Sequence, residues 1–263
     1  MKFKSVLLLV VFTGVATLAN SQNKKDQYQE AFSIIASYVA DFNKDRFAAE
    51  PMYFGIQVED VGDWTVDVTG KKFDQWEVKL MEGKPSTPTF IYKVGFETLK
   101  AIHAGELNAL TAQGKAFVGD YTPMSVEEMD GYEPSFAEQD LINPFSFHFW
   151  TKGFPETIPF KESMTRVAHG SNFIVFYYEK GLRTAWYRIL PGERVRDDAR
   201  EQAAPFPMMA VTIKGSAEGE VDGERVSISE GNTVFLPANV THKWWNEKDE
   251  AVEIILIMFG EGA

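Results

Sequence analysis

Apolar and aromatic side chains at Tyr28, Phe32, Ile35, Val39 and Phe42 recur at intervals of three and four, which places them on one face of a helix. The spacing predicts a helix over 27–42 that ends before Pro51. Segments 53–58, 62–68 and 73–81 are short, rich in Val, Ile, Phe and Trp, and separated by Gly62 and Gly70. They read as antiparallel strands joined by tight turns. A strand over 89–94, a helix over 96–104 stopped by Gly105, a short helix capped by Asn108 and a last strand over 114–118 complete this half.

The second half has a different rhythm. Strand-like segments fall at 172–178, 184–190, 208–213, 217–221, 224–228, 233–236, 242–245 and 252–259. Many short strands separated by Gly, Pro and Asp turns indicate a sandwich or small barrel. Asp222-Gly223 between two alternating segments is a strong two-residue hairpin signal. Between the halves, 121–160 holds Pro123, Pro134, Pro144, Pro155 and Pro159 among many Phe residues. It is too aromatic for a loose tether, and its acidic part, 125–144, is the expected hinge.

At the start, Lys2 and Lys4 precede an apolar run from Val6 to about Ala19. That is the layout of a secretory signal peptide over 1–21, with cleavage after Ser21. The expected location is therefore periplasmic or secreted. The run is shorter than the ~20 residues needed to span a bilayer, so an integral membrane protein is not expected.

Composition narrows the chemistry. The chain has 263 residues, 44% hydrophobic, with 21 Phe, and a formal net charge of -12. Without a clustered basic surface a nucleic-acid partner is not expected. There is no cysteine, which excludes thiol catalysis, thiolate metal sites and disulfides. No Gly-x-Ser-x-Gly elbow and no Gly-rich phosphate loop occurs.

The strand meander containing GDWTVDV (62–68), followed by FETLKAIHAGELNALTAQGKAFVGD (96–120), resembles the sterol carrier protein type 2 family. The matching positions are Gly105, Leu107, Asn108, Gly114, Lys115, Gly119 and Asp120, and the resemblance spans 23–124. The interval between Asn108 and Gly114 is about two residues shorter than the family pattern, which bears on the shape of the ligand entrance. The resemblance implies an α+β domain, a mixed sheet backed by helices around an apolar tunnel for fatty acyl chains or other lipids. Phe54, Ile56 and Trp64 would line that tunnel; the same positions could equally fill a solid core.

GNTVFLPANVTHKWWN (231–246) carries Gly231, Pro237, His242 and Asn246 at intervals that resemble the second motif of the cupin family. Pro191-Gly192 and the strand end at 211–215 match the outline of the first motif, and the resemblance spans about 145–263. It implies an all-β double-stranded β-helix barrel, often paired into a homodimer. Metal-dependent cupins use two His and one acidic residue of the first motif with the His of the second. Here 191–215 contains no His; its polar residues are Glu193, Arg194, Arg196, Asp197, Asp198, Arg200, Glu201 and Gln202. A guanidinium attracts a carboxylate and repels a metal, so a cupin without a cofactor is expected. The alternative is a divalent transition metal on His242, joined by His148 or His169 and a carboxylate such as Glu201.

The expected protein is thus a two-domain exported binding protein. Lipid, or another small hydrophobic molecule, would occupy the first domain. An organic ligand would meet His242, Trp244, Asn246, Arg200 and His169 in a metal-free cupin, and no catalytic residue is assigned. The competing expectation is a cupin-type enzyme acting on a small carboxylated or hydrophobic substrate, with His242 as metal ligand or base.

Overall fold

In the computed structural model, residues 5–48, 50–72, 75–117, 119–152, 156–198 and 203–263 are described, with the backbone alone over 5–21. Helix α1 (Ser5–Phe42) runs through the segment read as a leader, whose first four residues lie outside the described ones. Its buried face is the one expected, carrying Ile35, Tyr38, Val39 and Phe42. Among the described residues no helix is long and apolar enough to cross a membrane.

Strands β1 (Met52–Val58), β2 (Gly62–Lys72) and β3 (Gln75–Glu82) form the expected antiparallel meander. The chain then crosses over to β4 (Phe90–Val94), which lies parallel to β1. Helix α2 (Phe96–Ala104) stops at Gly105, where φ is +72° and a side chain would be strained. Helix α3 (Ala109–Gln113) starts at Asn108, whose side chain accepts from the Thr111 amide. Of the strand expected over 114–118, residue 118 lies outside the described residues, and 114–117 form no strand. The Asp120 carboxylate accepts from the amides of Ala116 and Phe117, which removes the donors a ladder would need. The fifth strand is instead β5 (Met124–Glu128), paired with β4, so the sheet order is β3-β2-β1-β4-β5.

The stretch expected as a hinge, 125–144, has regular structure. It contains most of β5 and the greater part of helix α4 (Phe136–Phe149). That helix opens with a capping box between Ser135 and Glu138 and accommodates Pro144. Phe145, Phe149 and Trp150, which open the stretch expected to be cupin, are buried in the core of the first unit. Apolar packing holds them there. The Phe54 ring stacks on Phe90 at 5.6 Å and meets Phe145 and Phe149 at 5.2 and 5.0 Å.

The second unit is a barrel of two sheets. One holds β6 (Arg166–Ala168), β7 (Ser171–Glu179), β8 (Leu182–Ile189), β10 (Met208–Lys214), β13 (Thr233–Leu236) and β15 (Val252–Phe259), in the order β13-β10-β15-β8-β7-β6. The other holds β9 (Arg194–Val195), β11 (Ser216–Val221), β12 (Glu224–Ser229) and β14 (His242–Trp245), in the order β12-β11-β14-β9. The hairpin expected at Asp222-Gly223 joins β11 to β12, with both residues at positive φ.

The two units are bolted together at β7. Beyond β6 the edge of β7 is free of a strand partner, and α3 takes that place. Asn108 Nδ2 donates to the Val175 carbonyl at 3.0 Å, and the Val175 amide donates to Thr111 Oγ1 at 2.9 Å. Two side chains of a helix thus satisfy an exposed strand edge. Arg166, on β6, donates from Nη1 to the carbonyls of Thr111, Ala112 and Gly114, covering the C-terminal end of α3.

A candidate ligand cavity under the first unit

The strands of the barrel alternate, so every second side chain faces inward. On β8 the inward row is Arg183, Ala185, Tyr187 and Ile189; on β15 it is Ile254, Leu256 and Met258. The rows enclose a cavity of about 620 Å³, within the usual range for small-molecule sites. Part of its lining comes from the other unit: Lys115, Ala116 and Phe117, the last two held through their amides by Asp120.

His169, Arg196 and His242 meet in the cavity wall. His169 and Arg196 both hold positive φ, 56° and 60°, and the Arg196 amide donates to the His169 carbonyl at 3.0 Å. Gly170 makes this approach possible. Its φ is +77°, and a Cβ there would lie 2.3 Å from the Arg194 carbonyl oxygen. Strained residues held by a rigid surrounding are characteristic of binding sites. Burial, then the Arg196 charge, and to a smaller extent His169, press the His242 imidazole down to about 4, so it is neutral near pH 7. The Phe117 ring approaches His169 edge-on at 6.0 Å, which ties the first unit to this cluster.

Of the residues expected at the ligand site, His242, Trp244 and His169 line the cavity. Asn246 does not. It is 1% exposed, and its amide donates to the carbonyls of Ile189 and Glu250 while accepting from the Lys248 amide. It fastens the turn after β14, because the inward alternation ends with the strand. Arg200 lies outside the described residues. Phe54, Ile56 and Trp64 are 0–1% exposed inside the solid core of the first unit. The Phe145 and Phe149 rings of α4 pack against Phe54 in that core.

The sequence reading overlooked Arg183, Tyr187 and the first-unit residues Lys115 and Phe117. For Arg183 a signal existed, since alternation along 182–189 sets it in the same row as Ala185 and Ile189. No such signal existed for Lys115 and Phe117, which are contributed from a distant part of the chain.

The described part of the lining holds two imidazoles as candidate metal donors. A guanidinium beside them, with no carboxylate among the described lining residues, opposes a divalent cation. Among the described residues no three His, Asp or Glu side chains converge. His148 is elsewhere, its Nδ1 2.6 Å from the buried Asp45 carboxylate, and Glu201 lies outside the described residues.

The family model described as "Cupin domain" matches residues 186–258. Among solved structures, a cupin 2 conserved barrel domain protein from Salinispora arenicola is 18% identical, with a TM-score of 0.35 over 40% of this chain and 88% of that chain. The cupin domain of Cnp3 from Schizosaccharomyces pombe is 11% identical, with a TM-score of 0.35 over 40% and 76%. A predicted oxalate decarboxylase from Thermotoga maritima is 15% identical, with a TM-score of 0.31 over 34% and 79%. No curated protein matches this sequence. The C-terminal part of the chain carries a cupin domain, and its barrel encloses the cavity described above.

Proposed function

We propose that this protein binds a hydrophobic small molecule in its cupin barrel, without a metal, and that the first unit serves as the roof of that site. The cavity of about 620 Å³ carries this reading. Its walls are mainly apolar and aromatic, and residues 115–117 of the first unit contribute to them. A second unit latched over a barrel mouth is suited to excluding water from a bound apolar molecule.

The sterol-carrier resemblance enters the same proposal in altered form. The mixed sheet with its covering helices agrees with the architecture that the resemblance implies. The aromatic core of that unit favours a supporting role over lipid carriage. Catalysis with His242 as base has less support, because an imidazole near 4 is a weak base at neutral pH. The leader-like start puts this binding activity outside the cytoplasm; N-terminal sequencing of the protein from an exporting host should begin at Gln22.

The test is a native mass spectrum of the purified protein before and after denaturation, with metal analysis of the same sample. A released organic molecule, or uptake of a hydrophobic probe lost in a Trp244→Ala variant, is the expected result. One tightly held transition metal per chain and no uptake of any apolar probe would overturn the proposal.

A further inference from the structure

We infer that the ligand carries an anionic head group, a carboxylate on an elongated apolar body, and that Arg183 receives it. The inference rests on the reading of the barrel cavity as the ligand site and specifies what that site takes.

Arg183 stands in the inward row of β8, opposite Met258 on β15, and Met258 in turn faces Met208 on β10. Its guanidinium lies over the rings of Tyr178 and Phe206, at 4.4 and 5.0 Å. One Nη donates to the Gly262 carbonyl at 3.1 Å, while Nε is buried and without a hydrogen-bond partner. Among the described residues no carboxylate forms an ion pair with it. Other cations of the barrel differ: Arg194 pairs with Asp197, Arg225 with Glu218 and Lys180 with Asp140. A guanidinium clamped by two aromatic rings, with a buried donor unused, is costly to desolvate. It is also preorganised for a planar, two-oxygen acceptor. A cavity-borne carboxylate answers both conditions.

The shape of the cavity defines the rest of the molecule. From Arg183 to Ile189 the wall extends six residues along β8, about 20 Å at the rise of a strand. Between those points the lining is Ala185, Tyr187, Leu256, Ala210 and Ile254, with no acidic side chain among the described lining residues. The far wall carries Trp244 and the neutral His242, with the Arg196 guanidinium beside it; Arg196 makes an interaction of its own. Arg183 thus stands near one end, with an apolar course leading away from it towards Arg196 and His242, and Lys115 adds a third cation to the lining. A medium- or long-chain carboxylic acid suits Arg183 and that apolar course, and a sugar does not.

The experiment compares dodecanoic acid with 1-dodecanol, which share chain length and differ in charge, by calorimetric titration of the full-length protein. The acid is expected to bind at least tenfold more tightly. In Arg183→Gln that preference should vanish while the alcohol still binds, and Arg183→Lys should keep part of it. Equal affinity of the wild-type protein for acid and alcohol overturns the inference and leaves the cavity reading standing. Failure to bind either molecule overturns both. A preference undiminished in a folded Arg183→Gln protein assigns the head group to another cation and also overturns the inference. The wild-type comparison does not depend on any variant folding.

Discussion

Gly114 lies so close to Phe173 that a Cβ on it would stand 2.7 Å from Phe173 Cε2. Its φ of -60° is ordinary for any residue, so the requirement for glycine is purely one of space. Phe173 cannot yield, since it is buried, stacked on Tyr187 at 6.0 Å and covered by Arg166. This contact seats the first unit on the barrel directly beside residues 115–117. Gly114→Ala should cost about 1–3 kcal/mol through overpacking. A thermal melt shows this as a lower Tm, and an unchanged Tm would mean that the two units are not seated as described.

Arg166 is the second fastening. Removing its guanidinium leaves the carbonyls of Thr111, Ala112 and Gly114 without their charged donor, in a region where Thr111 is fully buried. Arg166→Met is expected to destabilise the protein by about 2–4 kcal/mol. Hydrogen exchange should rise first at the amides of α3 and residues 114–117. Uniform acceleration across the barrel, with α3 unaffected, would contradict this role.

Acid should weaken the fold through His242. Its folded pKa of about 4 lies below the unfolded value of 6.5, so between those values the unfolded chain binds more protons. Stability then rises with pH across this window and is lost progressively as pH falls from about 6.5 to 4, by up to about 3 kcal/mol. His242→Gln removes this contribution. Urea midpoints of the two proteins should diverge over that range; parallel curves would show that His242 is not buried neutral.

Trp244 joins cavity and core. Its ring lies on Gly219, where a Cβ would come within 2.2 Å of Trp244 Cε3, and the residue is 6% exposed. Trp244→Ala is expected to cost about 3–5 kcal/mol as well as to abolish uptake of an apolar probe. Trp244→Phe should restore most of the stability. A Trp244→Ala protein with wild-type melting behaviour would place the ring at the surface.

Much of the architecture was legible because it rests on local regularities. The period of Tyr28, Phe32, Ile35, Val39 and Phe42, the glycine stop at Gly105, the cap at Asn108 and the Asp222-Gly223 turn each follow from backbone or side-chain geometry over a few residues. Helix α4 was also written in the chain, as Ser135 followed three residues later by Glu138, but the surrounding prolines concealed it. Residues 114–117 had acceptable strand propensity, which lost to the Asp120 side chain.

The sequence by itself determined the elements, the change from a mixed α+β half to an all-β half, and the presence of His242 and Trp244 in one inward-facing strand. Only the tertiary structure decided which apolar surfaces became core and which became cavity. Phe145 and Phe149 reach back to fill the interior around Phe54, whereas among the described residues a cavity remains between Arg183 and His242. Both outcomes use the same residue types. They differ in whether a partner from elsewhere in the chain arrives to pack against them, and that is set by long-range closure rather than by any local pattern.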